Sequence, residues 1–216
     1  MKLLMASTNS KLNTIILAAV ALVIAAFVSS CSSQPSSNKI KVDTTGLRNG
    51  DLIFREGPSF NSKVVKSMSD SQFSHVGMIY RSKGKWMVVH AVPDESESHK
   101  TDYVKCEPIE SFLDPTKAKS AKLMRVRCTD LQALNAIRYA IGKANNKTLF
   151  DNDYDLNDTT RLYCTELVWQ AYKHQGIDLV PKIINISVFG KKKEVIFPID
   201  LLKSKYNAKE WSCEYN

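Results

Sequence analysis

Arg161-Leu162-Tyr163-Cys164-Thr165-Glu166-Leu167-Val168-Trp169-Gln170-Ala171-Tyr172 carries a cysteine where a helix should begin. Two polar residues follow it, and Leu167, Val168 and Ala171 then recur on one helical face. The first-turn N–H groups of a helix have no intrahelical partners, and the helix dipole adds positive potential there. Both favour thiolate over thiol. Cys164 therefore reads as a low-pKa nucleophile. The plain alternative is a packing cysteine among aromatics, and the histidines upstream weigh against it.

Phe73 to Tyr80 and Lys85 to Ala91 are two apolar, β-branched and aromatic runs separated by Arg81-Ser82-Lys83-Gly84, which predicts a hairpin. With Ser82-Lys83 as the loop, paired residue numbers sum to 165, which sets His75 directly opposite His90, Cβ atoms about 5 Å apart. Val76, Met78, Met87 and Val89 take the other face. Acyl transfer through a covalent step needs a thiolate, a base, and a group that holds the base in one tautomer. Cys164, His75 and His90 can fill those roles, and the Cys164 N–H can serve a developing oxyanion. Cys and two His with water would also make a catalytic zinc shell. The lack of an evident carboxylate ranks that reading below the cysteine site, so no metal and no cofactor is expected.

The rest of the body alternates short elements. Gly50 to Arg55 reads as a turn and strand; Asn61 or Ser62 caps a brief helix bearing Val64, Val65 and Met68. Val104 to Phe112 reads as a strand end with a helical turn, and Leu123 to Arg127 as another strand. Thr129 with Gln132 forms a capping box before a helix with Leu134, Ile137 and Ile141 on its buried side, ending near Gly142. Asp151, Asp153 and Asp155 alternate like a calcium loop, but the loop glycine and terminal Glu are missing. Val195 to Phe197 predicts the last strand. Glu166 reads as structural, His99 and His174 as surface residues, Trp86 and Trp169 as packing. Cys106, Cys128 and Cys213 are too few to dictate a disulfide pair.

Lys2 and Lys11 are the only charges before an apolar run from Ile15 to Val28, about fourteen residues against the ~20 of a bilayer span. The run ends in Val28-Ser29-Ser30-Cys31, which resembles a bacterial lipobox. Residues 1–30 are thus expected to be a lipoprotein signal peptide, with Cys31 the lipidated (palmitate-bearing) first residue. Residues 31–45 would be a lipid-anchored tether and 46–216 one catalytic domain. Loss of the two lysines takes the formal charge from +8 to +6. That balance suits an anionic surface. Nucleic acid is excluded as a partner by the expected export and by the lack of a basic stripe interleaved with aromatics.

Gly50 to Phe54, Ser74 to Met78, Asp151 to Asp155 and Tyr163 to Val168 together resemble the YiiX-like permuted branch of the NlpC-type papain-like enzymes. The resemblance extends from about Gly46 to Pro198, with Phe197-Pro198-Ile199-Asp200-Leu201 similar to the closing motif. It implies an α+β, circularly permuted papain-like (NlpC-type) fold: an antiparallel, partly barrel-like sheet with the cysteine helix packed against it. The histidine strand precedes the cysteine helix, as in that family. Cys164 and His75 carry over; the third member, often Glu in close relatives, falls on His90. The implied function is a cysteine amidase or peptidase, a monomer acting on peptidoglycan peptides through a thioester. A lipid thioesterase or acyltransferase using the same residues, and a noncatalytic surface-binding lipoprotein, remain alternatives. Ser32 in place of Asp favours the outer membrane over the inner under the sorting rule of diderm bacteria.

The lipobox reading has a direct check. Cys31→Ala should abolish acyl labelling and release the protein from the membrane fraction; quantitative membrane partition of that variant would sink it.

Overall fold

The computed structural model describes residues 39–93, 102–188 and 191–215. The expected signal peptide, Cys31, the tether from Ser32 to Asn38, and the 94–101 segment with His99 lie outside them. The fold reaches back ahead of Gly46. Strand β1 (Ile40–Lys41) pairs with β12 (Glu214–Tyr215), and Ile40 is buried.

The body is an eight-stranded sheet ordered β11-β6-β2-β3-β4-β5-β7-β8, curled into a half barrel. Its strands are β2 (Leu52–Glu56), β3 (His75–Ser82), β4 (Lys85–Val92), β5 (Tyr103–Pro108), β6 (Ser120–Val126), β7 (Leu149–Phe150), β8 (Arg161–Leu162) and β11 (Asn207–Ser212). All neighbours are antiparallel except β7 with β8. This is the mixed α+β, half-barrel architecture expected.

Helices α3 (Asp130–Asn145) and α4 (Cys164–Lys173) belong to the larger core, with Leu52, Phe54, Val76, Met78 and Val89 from the strands. Leu167, Val168, Ala171 and Tyr172 are the α4 contribution. Each large aliphatic side chain so buried stabilises the fold by roughly 1.5–3 kcal/mol. Ile53, Ile79, Val88 and Leu123, from the alternate positions of the same strands, form a second cluster with Phe112 and Ile40. Phe112 ends the short α2 (Ile109–Phe112).

Several elements differ from expectation. Helix α1 (Phe60–Ser69) is capped by Ser59, whose side chain accepts from the Ser62 N–H, and it buries no residue. The Thr129–Gln132 capping box is present, but α3 runs through Gly142 to Asn145. Its buried side is Ala133, Ala136 and Ala140 with Ile137, so the face is mostly small and carries one large side chain. A hairpin of β9 (Ile184–Val188) and β10 (Lys191–Val195) precedes α5 (Pro198–Leu202), which covers the turn or edge helix expected at Ile199 to Leu202. The strand expected at Val195 to Phe197 ends at Val195, and β11 and β12 follow it. Cys106, Cys128, Cys164 and Cys213 are all free thiols.

The histidine hairpin has the expected faces and a shifted register. Met78 pairs with Val89 and Ser82 with Lys85, so the turn is Lys83-Gly84. Both have positive φ, 48° and 79°, the requirement of a tight I′-type hairpin turn that glycine meets most easily. A turn at Ser82-Lys83 would leave that glycine in the strand. The shift is two residues, so side-chain parity survives and His75 and His90 remain on one face as diagonal neighbours. His90 instead falls opposite Gly77, where a Cβ would lie 2.4 Å from Val88 Cγ1 and 3.2 Å from His90 Cβ. The bare position lets the His90 ring lean across toward His75.

Gly77→Ala should therefore overpack this spot at a cost of about 1–3 kcal/mol. Urea unfolding would read it as a lower midpoint at unchanged slope; an unchanged midpoint would mean the gap has no such role.

Candidate active site

The α4 helix begins at Cys164, with Tyr163 in an extended conformation as its cap. Two bonds staple that start to the segment after β10. Ile196 N–H donates to Tyr163 Oη at 3.1 Å, and Thr165 Oγ1–H donates to Ile196 O at 2.7 Å. Glu166, fully buried, accepts from Gln170 Nε2 at 2.8 Å, with the Tyr163 N–H close enough to favour its carboxylate. Burial raises its carboxyl to about 8, so it is largely protonated at neutral pH. Its role is to close the first turn, in keeping with the structural reading.

The Cys164 sulfur sits against β3. The backbone N–H groups of Val76, Thr165 and Cys164 itself favour its thiolate, as does the Arg55 guanidinium. Burial outweighs them and pushes the thiol up to about 11. The resting thiolate expected from the helix-start position is thus not what this environment supports. In this buried position the cysteine is a protonated thiol beside the first residues of the histidine strand.

His75 and His90 are brought together. His75 Nε2 lies 2.9 Å from His90 Nδ1, with the rings edge-on at 77°. Both are buried, and both rings pack on Phe112, at 5.7 and 5.0 Å between centroids. Burial first, and then Arg55, lowers both pKa values, His90 to about 4 and His75 well below its ordinary range. Both rings are neutral at pH 7.

Glu107 completes this arrangement and was missed in the sequence reading. On β5, Val88 pairs with Glu107 and His90 with Lys105, which makes Glu107 a diagonal neighbour of His90. Its Oε1 is 3.0 Å from His90 Nε2, an ion-pair distance at an angle short of a directed hydrogen bond. Burial opposes its ionisation, but the His90 contact and the charges of Lys105 and Lys117 outweigh it and hold Glu107 down at about 2. A carboxylate only accepts, so His90 keeps its proton on Nε2 and offers Nδ1 as a lone pair. His75 must then donate through Nε2, which leaves Nδ1 as its basic nitrogen. The Glu107-Pro108 dipeptide was visible, but only the β4–β5 register brings it to His90, across a connection without periodicity.

Two other neighbours also escaped the sequence reading. Arg55, opposite His75 in the β2–β3 ladder, is buried with its guanidinium 4.5 Å from the Phe112 ring centre and Nη1–H donating to Phe112 O at 2.8 Å. Tyr154 has φ 53°, rare for an aromatic residue, and packs on Tyr163 at 5.1 Å and Phe150 at 6.1 Å. Burial raises its hydroxyl, and its ring contact is with Tyr163, the residue before Cys164. The carboxylates once compared with a calcium loop are used internally: buried Asp151 accepts from the Asp153 and Asp155 N–H groups at 2.9 and 2.6 Å. Trp169 packs with its Nε1–H on Asp178, and His174 is exposed beside Tyr139. The facing nitrogens of His75 and His90 are engaged with each other. Among the described residues no group of three His, Cys, Asp or Glu is arranged to hold a metal ion.

Comparison with known proteins gives the family and the fold. The family model described as "Permuted papain-like amidase enzyme, YaeF/YiiX, C92 family" matches residues 46–201. Among solved structures, the metalloprotein YiiX from Escherichia coli O157:H7 superimposes with a TM-score of 0.62 at 20% identity. The match covers 78% of this chain and 97% of that one. A search of curated proteins finds no match.

The buried rings make stability depend on pH. A histidine held neutral in the fold takes up its proton first in the unfolded chain, so stability falls as pH drops below the ordinary value of 6.5 and levels off only near the folded value, about 4 for His90. Each ring contributes at most about 1.4 kcal/mol per pH unit in that window. His90→Asn should flatten the dependence of the unfolding free energy between those limits. An unaltered slope would show that His90 titrates normally.

Proposed function

Since the chain belongs to the family of permuted papain-like amidases, YaeF/YiiX, C92, we propose that it is a cysteine hydrolase that opens an amide bond of cell-wall peptides through a thioester on Cys164. The observation that carries this reading is the Glu107–His90–His75 chain, which ends in a basic Nδ1 on the strand against which the Cys164 sulfur rests. Because the resting thiol is protonated, the base acts during attack. His75 Nδ1 takes the proton from Cys164 Sγ as sulfur bonds to the carbonyl carbon, and the carbonyl π electrons move to oxygen. The Cys164 backbone N–H faces that oxyanion. Collapse expels the amine, which leaves with the proton held by His75, and a thioester remains. Water then attacks with His75 as base, the acid departs, and the thiol regains its proton.

His90 in this scheme is a positioning residue: it holds the ring of His75 and touches no substrate. Export and anchoring through a lipid on Cys31, at the outer membrane, complete the proposal and put the enzyme next to its polymer. An acyl ester substrate is the second arm to test, because Phe60, Val64 and Met68 on α1 are exposed apolar side chains.

Cys164→Ala should abolish turnover of amide-bearing cell-wall peptides, and His75→Ala should cost about 10²–10⁴-fold. His90→Ala should cost less, with His90→Glu retaining part of the rate. Iodoacetamide at pH 6 should label resting Cys164 more slowly than a free thiol, while mass analysis after turnover finds an acyl fragment on it. Labelling faster than a free thiol would replace the general-base step with a preformed thiolate. Full turnover in His75→Ala, or loss on chelation that zinc restores, would overturn the dyad. Faster cleavage of acyl esters than of amides would move the substrate class.

A further inference from the structure

Helix α1 presents Phe60, Val64 and Met68 at successive i, i+4 positions, exposed by 78%, 40% and 46%. An apolar ridge without cover is costly in water and marks a contact surface. Ser62 of its first turn lies against Gly57, whose N–H donates to Ser74 Oγ at 3.0 Å, one residue before His75. The ridge therefore starts beside the proposed catalytic strand.

The described chain begins at Lys39, on the Asp114 side of the domain. Lys39 acts electrostatically on Asp114. A few residues on, the Lys119 N–H donates to Glu56 O at 2.8 Å, and the Glu56 carboxylate pairs with Lys66 of α1 at 2.7 Å and accepts from Ser120 Oγ at 3.0 Å. Lys39, Lys63 and Lys119 are exposed around this segment. From Cys31 to Lys39 there are eight residues, which reach at most about 28 Å when fully extended.

We infer that α1 is a membrane-docking helix, its Phe60–Val64–Met68 ridge immersed at the interface of an anionic bilayer and its flanking lysines on the headgroups. This rests on the proposed lipid at Cys31 for the short leash, and it deepens that reading by naming the face turned toward the membrane. A ridge of three apolar side chains with basic neighbours has the chemistry of an interfacial helix, and one lipid-borne anchor gains from such a second contact. It would hold the end of β3 that carries His75 near the bilayer surface.

The test attaches an environment-sensitive dye at Val64→Cys in the full chain carrying Cys164→Ala, with the same chain lacking Val64→Cys as blank. Vesicles of phosphatidylethanolamine and phosphatidylglycerol should shift the emission to the blue. Adding Phe60→Ser and Met68→Ser should remove most of the shift, and a dye at Arg138→Cys on α3 should show none. The mass of the N-terminal fragment reports the anchor separately. A shift at position 64 in a chain without lipid leaves the docking helix standing and removes the anchor. A lipid-bearing chain that floats with the vesicles while the dye stays solvent-like overturns the docking helix and keeps the anchor. An equal shift on phosphatidylcholine vesicles removes the role of the lysines. A blue shift that grows with protein concentration without vesicles would give the ridge to a second copy of the chain and overturn the proposal.

Discussion

Two imidazoles share one dry face of the sheet, and neither can be charged there without a large penalty. That constraint dictates the rest of the site. A neutral imidazole has one donor and one acceptor nitrogen, so the 2.9 Å contact between His75 and His90 fixes a direction for the proton. Glu107 at the far end chooses which direction. The gap at Gly77, the Phe112 ring under both imidazoles, and the strand order β3-β4-β5 all serve to hold that line.

What could be read in the sequence followed from local periodicity. Period-2 alternation gave the two histidines one face, and parity kept that result even though the turn, and with it the register, was displaced by two residues. The capping box at Thr129 and the helix start at Cys164 were legible because caps are encoded within four residues. Glu107 was not. Its place beside His90 depends on how β5 registers against β4, and the 94–101 segment between them carries no pattern that would set the offset. Arg55 was equally hidden: its position opposite His75 depends on pairing across the whole of α1 and its flanking turns. The β9–β10 hairpin was not read beyond Val195 at its end, because the lysine-rich run of Lys191, Lys192 and Lys193 masks any alternation.

The cysteine shows where a correct local argument meets a larger opposing effect. A helix N-terminus stabilises an anion by about 0.3–1 kcal/mol at an exposed site, under one unit of pKa. The same residue withdrawn from water loses hydration of the thiolate, and that loss scales with burial. Position along the helix is visible in the sequence; depth is not. The N–H groups of Val76, Thr165 and Cys164 pull in the expected direction, and the thiol still ends near 11.

Arg55 and Glu107 then act on the same rings with opposite sign. Arg55 opposes an imidazolium and favours the thiolate, whereas Glu107 favours a positive ring at the other end of the pair. A base that must accept a proton and give it back within one turnover needs an affinity matched to both transfers. A carboxylate alone would hold the proton too well, and a buried cation alone would refuse it. The fold sets the two charges on either side of the imidazole pair, Arg55 from β2 and Glu107 from β5, so that the strand order itself sets the proton affinity of the pair.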